Sequence, residues 1–485
     1  MAKPIKKSDL IKISDFIYEI PASFSADMRV PARIFLSEQM LEDIMEDRSL
    51  EQIVNVASLP GIAKYAIAMP DIHQGYGFPI GGVAATVINQ GGVISPGGIG
   101  YDINCGVRLM AANISINDIQ PFKEKLATAL FNAVLSGVGR GGNIKMKPSE
   151  LDHVLAQGAA YMVQKGYGTQ RDLEYCESKG CMDIADPRDV SLQAKQRGAD
   201  QLGTLGSGNH FLEVQYVDEL YDKKIAQSYG LSEGQIVVMI HCGSRGLGHQ
   251  VCTDYVKIMM SKIGDWGIQL PDRELVCAPF TSDEGQAYFR AMAAAANFAW
   301  ANRHTIGHWV RQAWQEILGP DVTLETVYDV SHNIGKKEQH MINGKLQEVL
   351  VHRKGATRAF GPDTPDLPAQ YRAAGQPVFI PGTMGTSSYV LAGTQEGMEV
   401  AFGSSCHGAG RRLSRVKAKK AVSGVQLRKQ LEAQGIVVRC DSDAGLSEEA
   451  PIAYKDVDNV VNVVVGAKIA KKVVRVKPVA VIKGG

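Results

Sequence analysis

The residues able to do chemistry in this chain gather in short glycine-rich segments. Gly403-Ser404-Ser405-Cys406-His407-Gly408-Ala409-Gly410-Arg411-Arg412 sets one imidazole among residues too small to cover it, then two guanidinium groups. An imidazole is a competent nucleophile at neutral pH. Glycines permit the close ligand approach that a Cβ forbids, so His407 is expected on an open loop. The run 413–421 contains no Gly or Pro and reads as a helix. That places His407 beside a helix N-terminus, where free N–H groups and the helix dipole favour a phosphate.

Four loops repeat one design, in which an apolar strand-like run delivers a histidine into a flexible turn. Asp102, Cys105, His210, His241 and His332 together offer a carboxylate, a thiolate and three imidazoles. That mixture suits Mn²⁺, Zn²⁺ or Fe²⁺, and five ligands serve two ions if one of them bridges. His304 and His308 have the i,i+4 spacing of a helical metal pair but no intervening Glu base, and read as ordinary helix residues. Arg245, Lys354, Arg358, Arg411 and Arg415 fall in or beside glycine-rich turns, where their cations can meet phosphate oxygens. The chain has no Walker A motif, and Gly243-Ser244-Arg245-Gly246-Leu247-Gly248 is not the dinucleotide fingerprint.

These loops need elements to carry them. Residues 1–60 read as a small mixed region with a helix near 37–47 and little chemistry. From residue 66 onward, short apolar runs end in loops dense in Gly, Asp, Asn and His. Residues 120–200 are mostly helical in pattern, interrupted by Gly139-Arg140-Gly141-Gly142 and by a charged stretch around Cys176 and Cys181. Residues 286–318 form a long Ala-rich run with Trp300, Trp309 and Trp314, broken only by Gly307, and predict a central helix. Residues 436–485 alternate Val with Lys or Asn and predict strands. No linker or internal repeat divides the sequence, which points to one composite domain over 1–485.

Composition sets the outer bounds. With 485 residues, 45% hydrophobic and 21% charged, the chain can bury one large core or a few ordinary ones, and is globular. Fifty-two basic against 51 acidic residues give a net charge of +1, so any polyanion must be held by a local basic patch. The N-terminus lacks a signal-peptide apolar stretch, and no run approaches the ~18 apolar residues of a membrane span. The sequence therefore reads as a soluble cytoplasmic protein with no membrane partner. Eight cysteines over this length are too sparse for a disulfide scaffold.

With these motifs assembled, the chain resembles the RtcB-type RNA ligases. The matching segments are Asp102-Ile103-Asn104-Cys105-Gly106-Val107-Arg108, Gly206-Ser207-Gly208-Asn209-His210-Phe211-Leu212-Glu213, His241-Cys242-Gly243-Ser244-Arg245-Gly246 and Ser331-His332-Asn333. To these are added His352-Arg353-Lys354-Gly355-Ala356-Thr357-Arg358, Pro381-Gly382-Thr383-Met384-Gly385 and Cys406-His407-Gly408-Ala409-Gly410-Arg411. They run in the family's order from about residue 65 to the end, whereas 1–60 and 145–195 carry no match. The resemblance implies an α+β fold and a GTP- and Mn²⁺-dependent ligase that joins an RNA 3′-phosphate or 2′,3′-cyclic phosphate to a 5′-hydroxyl. His407 would form the guanylylated intermediate, and Asp102, Cys105, His210, His241 and His332 would hold two Mn²⁺ ions. Glu213 and Lys483 would read guanine. Asn209, His332, Asn333, Pro381, Gly382, Thr383, Met384, Ser388, Ala409 and Gly410 would line the nucleotide pocket. Asp71, Arg197, Arg245 and Lys354 would meet RNA or phosphate. The implied partners are RNA ends such as tRNA halves and an archease-like activator.

Two other classes use part of the same set. A metal-dependent phosphoesterase needs the donors and basic turns but no guanylylated histidine. A non-catalytic RNA-binding protein needs only the basic turns.

Overall fold

Two mixed sheets divide the chain between them in the computed structural model, which describes residues 4–137 and 141–484. Gly139 and Arg140 of the expected glycine-rich break lie outside those residues. The first sheet runs, in spatial order, Ile11–Ser14, Ile17–Ile20, Ala32–Phe35, Ile62–His73, Ile80–Val87, Lys345–Lys354 and Asn333–Ile342. The second runs Leu324–Ser331, Gly106–Ser115, Gln235–Cys242, Phe211–Leu220, Ala470–Lys483, Ser388–Gly393 and Pro377–Ile380, with Val437–Cys440 paired in parallel to Ala470–Lys483. Helices pack on these sheets, and the architecture is α+β.

The chain crosses between the two sheets three times, first between Val87 and Gly106. Strand Leu324–Ser331 belongs to the second sheet and Asn333–Ile342 to the first, so His332 is the residue of the crossing itself. After Lys354 the chain leaves the first sheet again, and Ala356–Arg358 pairs with Ser404–Cys406 in a short ribbon that ends next to His407.

The expected long helix is present as Asp283–Leu318, 36 residues without interruption. Ser282 caps it, its Oγ accepting from the Gly285 N–H at 3.1 Å, and Asp283 and Glu284 complement the dipole in the first turn. Gly307 does not break it: a Cβ there would stand 3.3 Å from Arg108 Nη1, so the missing side chain admits a buried guanidinium. Trp300 and Trp314 are fully buried on it, and the helix is central, as its composition predicts.

The helix expected near residues 37–47 is present as a 3₁₀ turn, Glu38–Met40, continued by the α-helix Leu41–Met45, with a separate helix Ser49–Val56 after it. Two expectations need correction. The helix expected over 413–421 starts only at Arg415, with Ser414 as its cap, so its N-terminus does not adjoin His407. The C-terminal region is not all strand, because Asp443–Glu448 and Val457–Gly466 are helices. Val457, Val460, Val461 and Val464 are buried at i, i+3, i+4 and i+7, and Asp456 caps the helix by accepting from the Asp458 and Asn459 N–H groups. Helical spacing plus a cap outweighs the strand preference of valine. Only Val437–Cys440 and Ala470–Lys483 are strands in this stretch.

Candidate functional site

The register of the second sheet gathers the candidate donors. Ser331 pairs with Gly106, Gly106 with Cys242, and His241 with Phe211. Because these strands are antiparallel neighbours, the end of one lies beside the start of the next. His332, Cys105, His241 and His210 therefore meet at one end of the sheet, where these strands begin or stop. Ile482 pairs with Leu212, which brings Lys483 to the same end. The histidines expected in flexible turns are thus held on rigid strand ends, all of them buried.

Cys105 Sγ is 3.3 Å from His210 Nε2 and 3.2 Å from His241 Nε2, and His241 Nε2 is 3.2 Å from His332 Nε2. Asp102 Oδ2 lies 2.9 Å from His210 Nε2. Two groups able to hold a metal result, Cys105/His241/His332 and Asp102/Cys105/His210, with donor atoms within 4.8 Å of one another and Cys105 common to both. Burial, followed by the neighbouring histidines, holds His241 and His332 well below the usual imidazole range, which keeps their lone pairs free. Burial opposes ionisation of Asp102, but the hydrogen bond and charge of His210 outweigh it and hold the carboxyl below its ordinary value. Burial pushes the Cys105 thiol up to about 12, a burden that a coordinated cation relieves. The donor set suits a divalent transition-metal ion.

Supporting contacts hold the donors in place. His210 Nδ1 donates to the Leu205 carbonyl at 3.1 Å, leaving Nε2 to face Asp102 and Cys105. A Cβ on Gly243 would stand 2.4 Å from the Asp102 carboxylate, so glycine is required for the approach that lets Ser244 N–H donate to Asp102 Oδ1 at 2.9 Å. From the long helix, Arg303 donates to the carbonyls of Asn104 and Cys242 and to Asn104 Oδ1, and pairs with Asp329. His304 and His308 take no part in the cluster. His304 Nε2 meets the Tyr167 carbonyl and His308 Nδ1 accepts from Gly168 N–H, the ordinary roles expected of them.

His407 stands beside this cluster, its ring centroid 4.8 Å from that of His332. Asp71 Oδ2 accepts from its backbone N–H at 3.0 Å and from ring Nδ1 at 2.6 Å. The carboxylate is fully buried, and it assigns the proton to Nδ1, leaving the lone pair on Nε2. His407 is mostly enclosed rather than on an open loop, at 13% side-chain exposure.

These groups line a cavity of about 480 Å³. Of the expected nucleotide residues, Asn209, Glu213, His332, Asn333, Pro381, Gly382, Thr383, Met384, His407, Ala409, Gly410 and Lys483 lie on its wall. Ser388 does not. It sits behind the wall, accepting from Gly382 N–H at 3.0 Å and from Gln215 at 3.3 Å. Glu213 is buried, which raises its carboxyl to about 7, while Gln215 (2.7 Å) and the Lys483 charge act in the opposite sense. Lys483 is the last residue of its strand and donates to the Gly208 carbonyl at 2.9 Å. Asn333 uses both ends of its amide to tie the Asp102 carbonyl to Gly355 N–H.

Among the expected phosphate groups, Lys354, Arg411 and Arg415 reach the cavity. Arg358 does not: it is buried against Glu177 and Gln376 and stacks on Phe360, a structural role. Arg197 and Arg245 lie off the cavity wall, bonded to Gln250 and Thr204. Sequence reasoning missed Tyr76, Tyr101, His249, Glu449 and Tyr454, all on the wall. Tyr454 bonds Glu449, which pairs with Arg411, and its only sequence signal was an aromatic in a polar stretch. Residues 1–60, read as carrying little chemistry, hold the cavity loop: Gln52 exchanges two hydrogen bonds with Gly75, and Asp47 accepts from Gln74 N–H at 3.0 Å.

Fold and site together define an α+β protein with a cysteine-bridged donor cluster able to hold metal, next to a carboxylate-oriented histidine. Comparison with known sequences narrows this class. The family described as "tRNA-splicing ligase RtcB" matches residues 52–484, and the chain belongs to that family. Proteins named tRNA-splicing ligase RtcB are 56% identical in Thermococcus kodakarensis and 52% identical in Archaeoglobus fulgidus. These alignments cover 99% and 98% of this chain and 99% of each relative, so they include the stretches 1–60 and 145–195 that no motif had matched. Among the described residues, no helix is long and apolar enough to cross a membrane.

Proposed function

We propose that the protein is an RNA ligase that joins RNA 3′-phosphate or 2′,3′-cyclic phosphate ends to 5′-hydroxyl ends, using GTP and Mn²⁺, within a single composite catalytic domain. The observation that carries this is the Asp71–His407 pair set against the donor cluster. A phosphoesterase can use such a pair as a general acid or base, so the match to the ligase family over residues 52–484 favours the ligase.

In this reading His407 Nε2 attacks the α-phosphorus of GTP, the bond to the bridging oxygen breaks and pyrophosphate leaves. Asp71 keeps the proton on Nδ1 and stabilises the charge on the ring. An oxygen of the RNA 3′-phosphate then displaces the imidazole, breaking the P–N bond and taking the guanylate. A cyclic end is first opened by water to a 3′-phosphate. The 5′-hydroxyl oxygen attacks the activated RNA phosphorus, loses its proton and expels GMP. Mn²⁺ ions held by Asp102, Cys105, His210, His241 and His332 would neutralise phosphate charge. Lys354, Arg411 and Arg415 add cations on the cavity wall. Glu213 accepts from guanine N1 and N2, and Lys483 donates to O6, a pattern that adenine cannot meet.

The substrates are RNA ends such as tRNA halves, and the family reading adds an archease-like activator, tested by turnover with and without that protein. Eight free cysteines suit a reducing, cytoplasmic setting. The deciding experiment is incubation with α-labelled GTP and Mn²⁺. Label should become covalently attached to the wild-type protein and be absent from His407→Ala, which should still seal RNA carrying a preformed 3′-guanylyl end. Labelling of His407→Ala overturns the assignment.

A further inference from the structure

Three rings converge on the cavity wall without a role in the reading above. The Tyr76 and Tyr101 centroids are 5.5 Å apart, edge to face, and those of Tyr101 and His249 are 5.9 Å apart with an interplanar angle of 31°. All three line the cavity. Neither tyrosine belongs to an apolar core, so core packing does not account for them. Their backbone is held rigidly: Lys354 Nζ donates to the Tyr76 carbonyl at 2.6 Å, and Gly77 N–H donates to Glu274 at 2.9 Å.

Lys354, Arg411 and Arg415 supply cations on the same wall. His249 lies on helix Arg245–Lys262. Its neighbour Gln250 accepts from Arg197 at 3.0 Å. Aromatic faces beside guanidinium groups form the pattern that binds single-stranded nucleic acid, with bases stacked on rings and phosphates met by cations.

The rings adjoin the Asp102 side of the donor cluster, and the guanine readers its His210 side. Tyr101 precedes Asp102, Asp102 bonds His210, and the His210 carbonyl lies 3.5 Å from Lys483 Nζ, which faces Glu213. Along this run of contacts, Asp102 and His210 stand between Tyr101 and Lys483. In the joining step the 5′-oxygen enters opposite the departing GMP, so its strand approaches from the side away from the guanylate.

Resting on the ligase reading, we propose that Tyr76, Tyr101 and His249 form a base-stacking platform for the first nucleotides of the 5′-hydroxyl RNA strand. The test uses RNA fragments with intact or abasic terminal nucleotides on either strand. Tyr76→Leu and His249→Ala should each raise the KM for the 5′-hydroxyl fragment about tenfold, leaving the rate of guanylylation by GTP unchanged. Tyr101→Phe, which keeps the ring, should match wild type, and Tyr101→Leu should behave like Tyr76→Leu. The penalty should vanish when the terminal bases of the 5′-hydroxyl fragment are removed. A penalty that persists on the abasic fragment, that follows the bases of the 3′-phosphate fragment, or that appears in guanylylation overturns the platform. Failure of the ligase reading is separable, since wild-type protein would then neither take up label from GTP nor seal.

Discussion

Asp71 contributes a single oxygen to both the backbone and the ring of His407. Asp71→Asn keeps the shape but loses the charge that stabilises the imidazolium-like ring while the phosphoramidate forms. Guanylylation should fall by about 10²-fold or more, measured with α-labelled GTP, while sealing of preactivated RNA is largely kept. Glu213 gives a pH prediction. Its carboxyl is raised by burial from 4.5 to about 7, so the folded state holds the proton more tightly than the unfolded chain. The residue's contribution to stability therefore falls as pH rises from about 4.5 to about 7, by roughly 3 kcal/mol. Guanine requires the ionised form, so GTP affinity should rise with pH through about 7. Glu213→Gln should flatten both trends, read by denaturant unfolding of the nucleotide-free protein and by GTP titration at several pH values. Parallel pH profiles for the two proteins would remove Glu213 from guanine reading.

At the scale of elements, the site is the meeting of strand ends braced by the long helix. Arg303 ties the loop before strand Gly106–Ser115 to the end of strand Gln235–Cys242, and with Arg108 it neutralises the fully buried Asp329. Asn104 sits at φ +50°, a left-handed conformation that this guanidinium helps to hold. Arg303→Met should leave Asp329 paired with Arg108 alone and release the Asn104 carbonyl. Stability should fall by about 3 to 5 kcal/mol, seen as a lower thermal midpoint, and metal affinity should fall with it. An unchanged midpoint would mean that Arg108 alone neutralises Asp329.

For the whole molecule, strand Ala470–Lys483 joins the parts. It pairs with Phe211–Leu220, Ser388–Gly393 and Val437–Cys440, and ends with Lys483 in the cavity. Removing residues 470–485 should prevent folding, because it leaves three strands without their partner and opens the centre of a sheet. Lys483→Met should fold, since the strand and its pairing remain, but should lose GTP selectivity. Circular dichroism separates the two outcomes, and a folded truncation would contradict this account of the sheet.

Much of the chemistry was legible in the chain. The mixture of carboxylate, thiolate and imidazoles, the glycine-rich segment around His407 and the long Ala-rich helix all depend on residue type and local spacing. These are properties that a sequence carries directly. The sequence could not show what holds each group. Asp71 is 336 residues from His407 in the chain, and only tertiary structure brings them within hydrogen-bond reach. The same holds for Arg358, whose glycine-rich surroundings suit a phosphate contact but whose guanidinium is buried against Glu177, and for Gln52, which braces the cavity loop from a region without visible chemistry. The valine-rich run 457–466 satisfied a strand pattern as well as a helical one, and the surface it packs against decided between them. Local sequence thus determined which chemical groups are available. Long-range strand register determined which of them face one another, because sheet pairing joins residues by position in space rather than by distance along the chain.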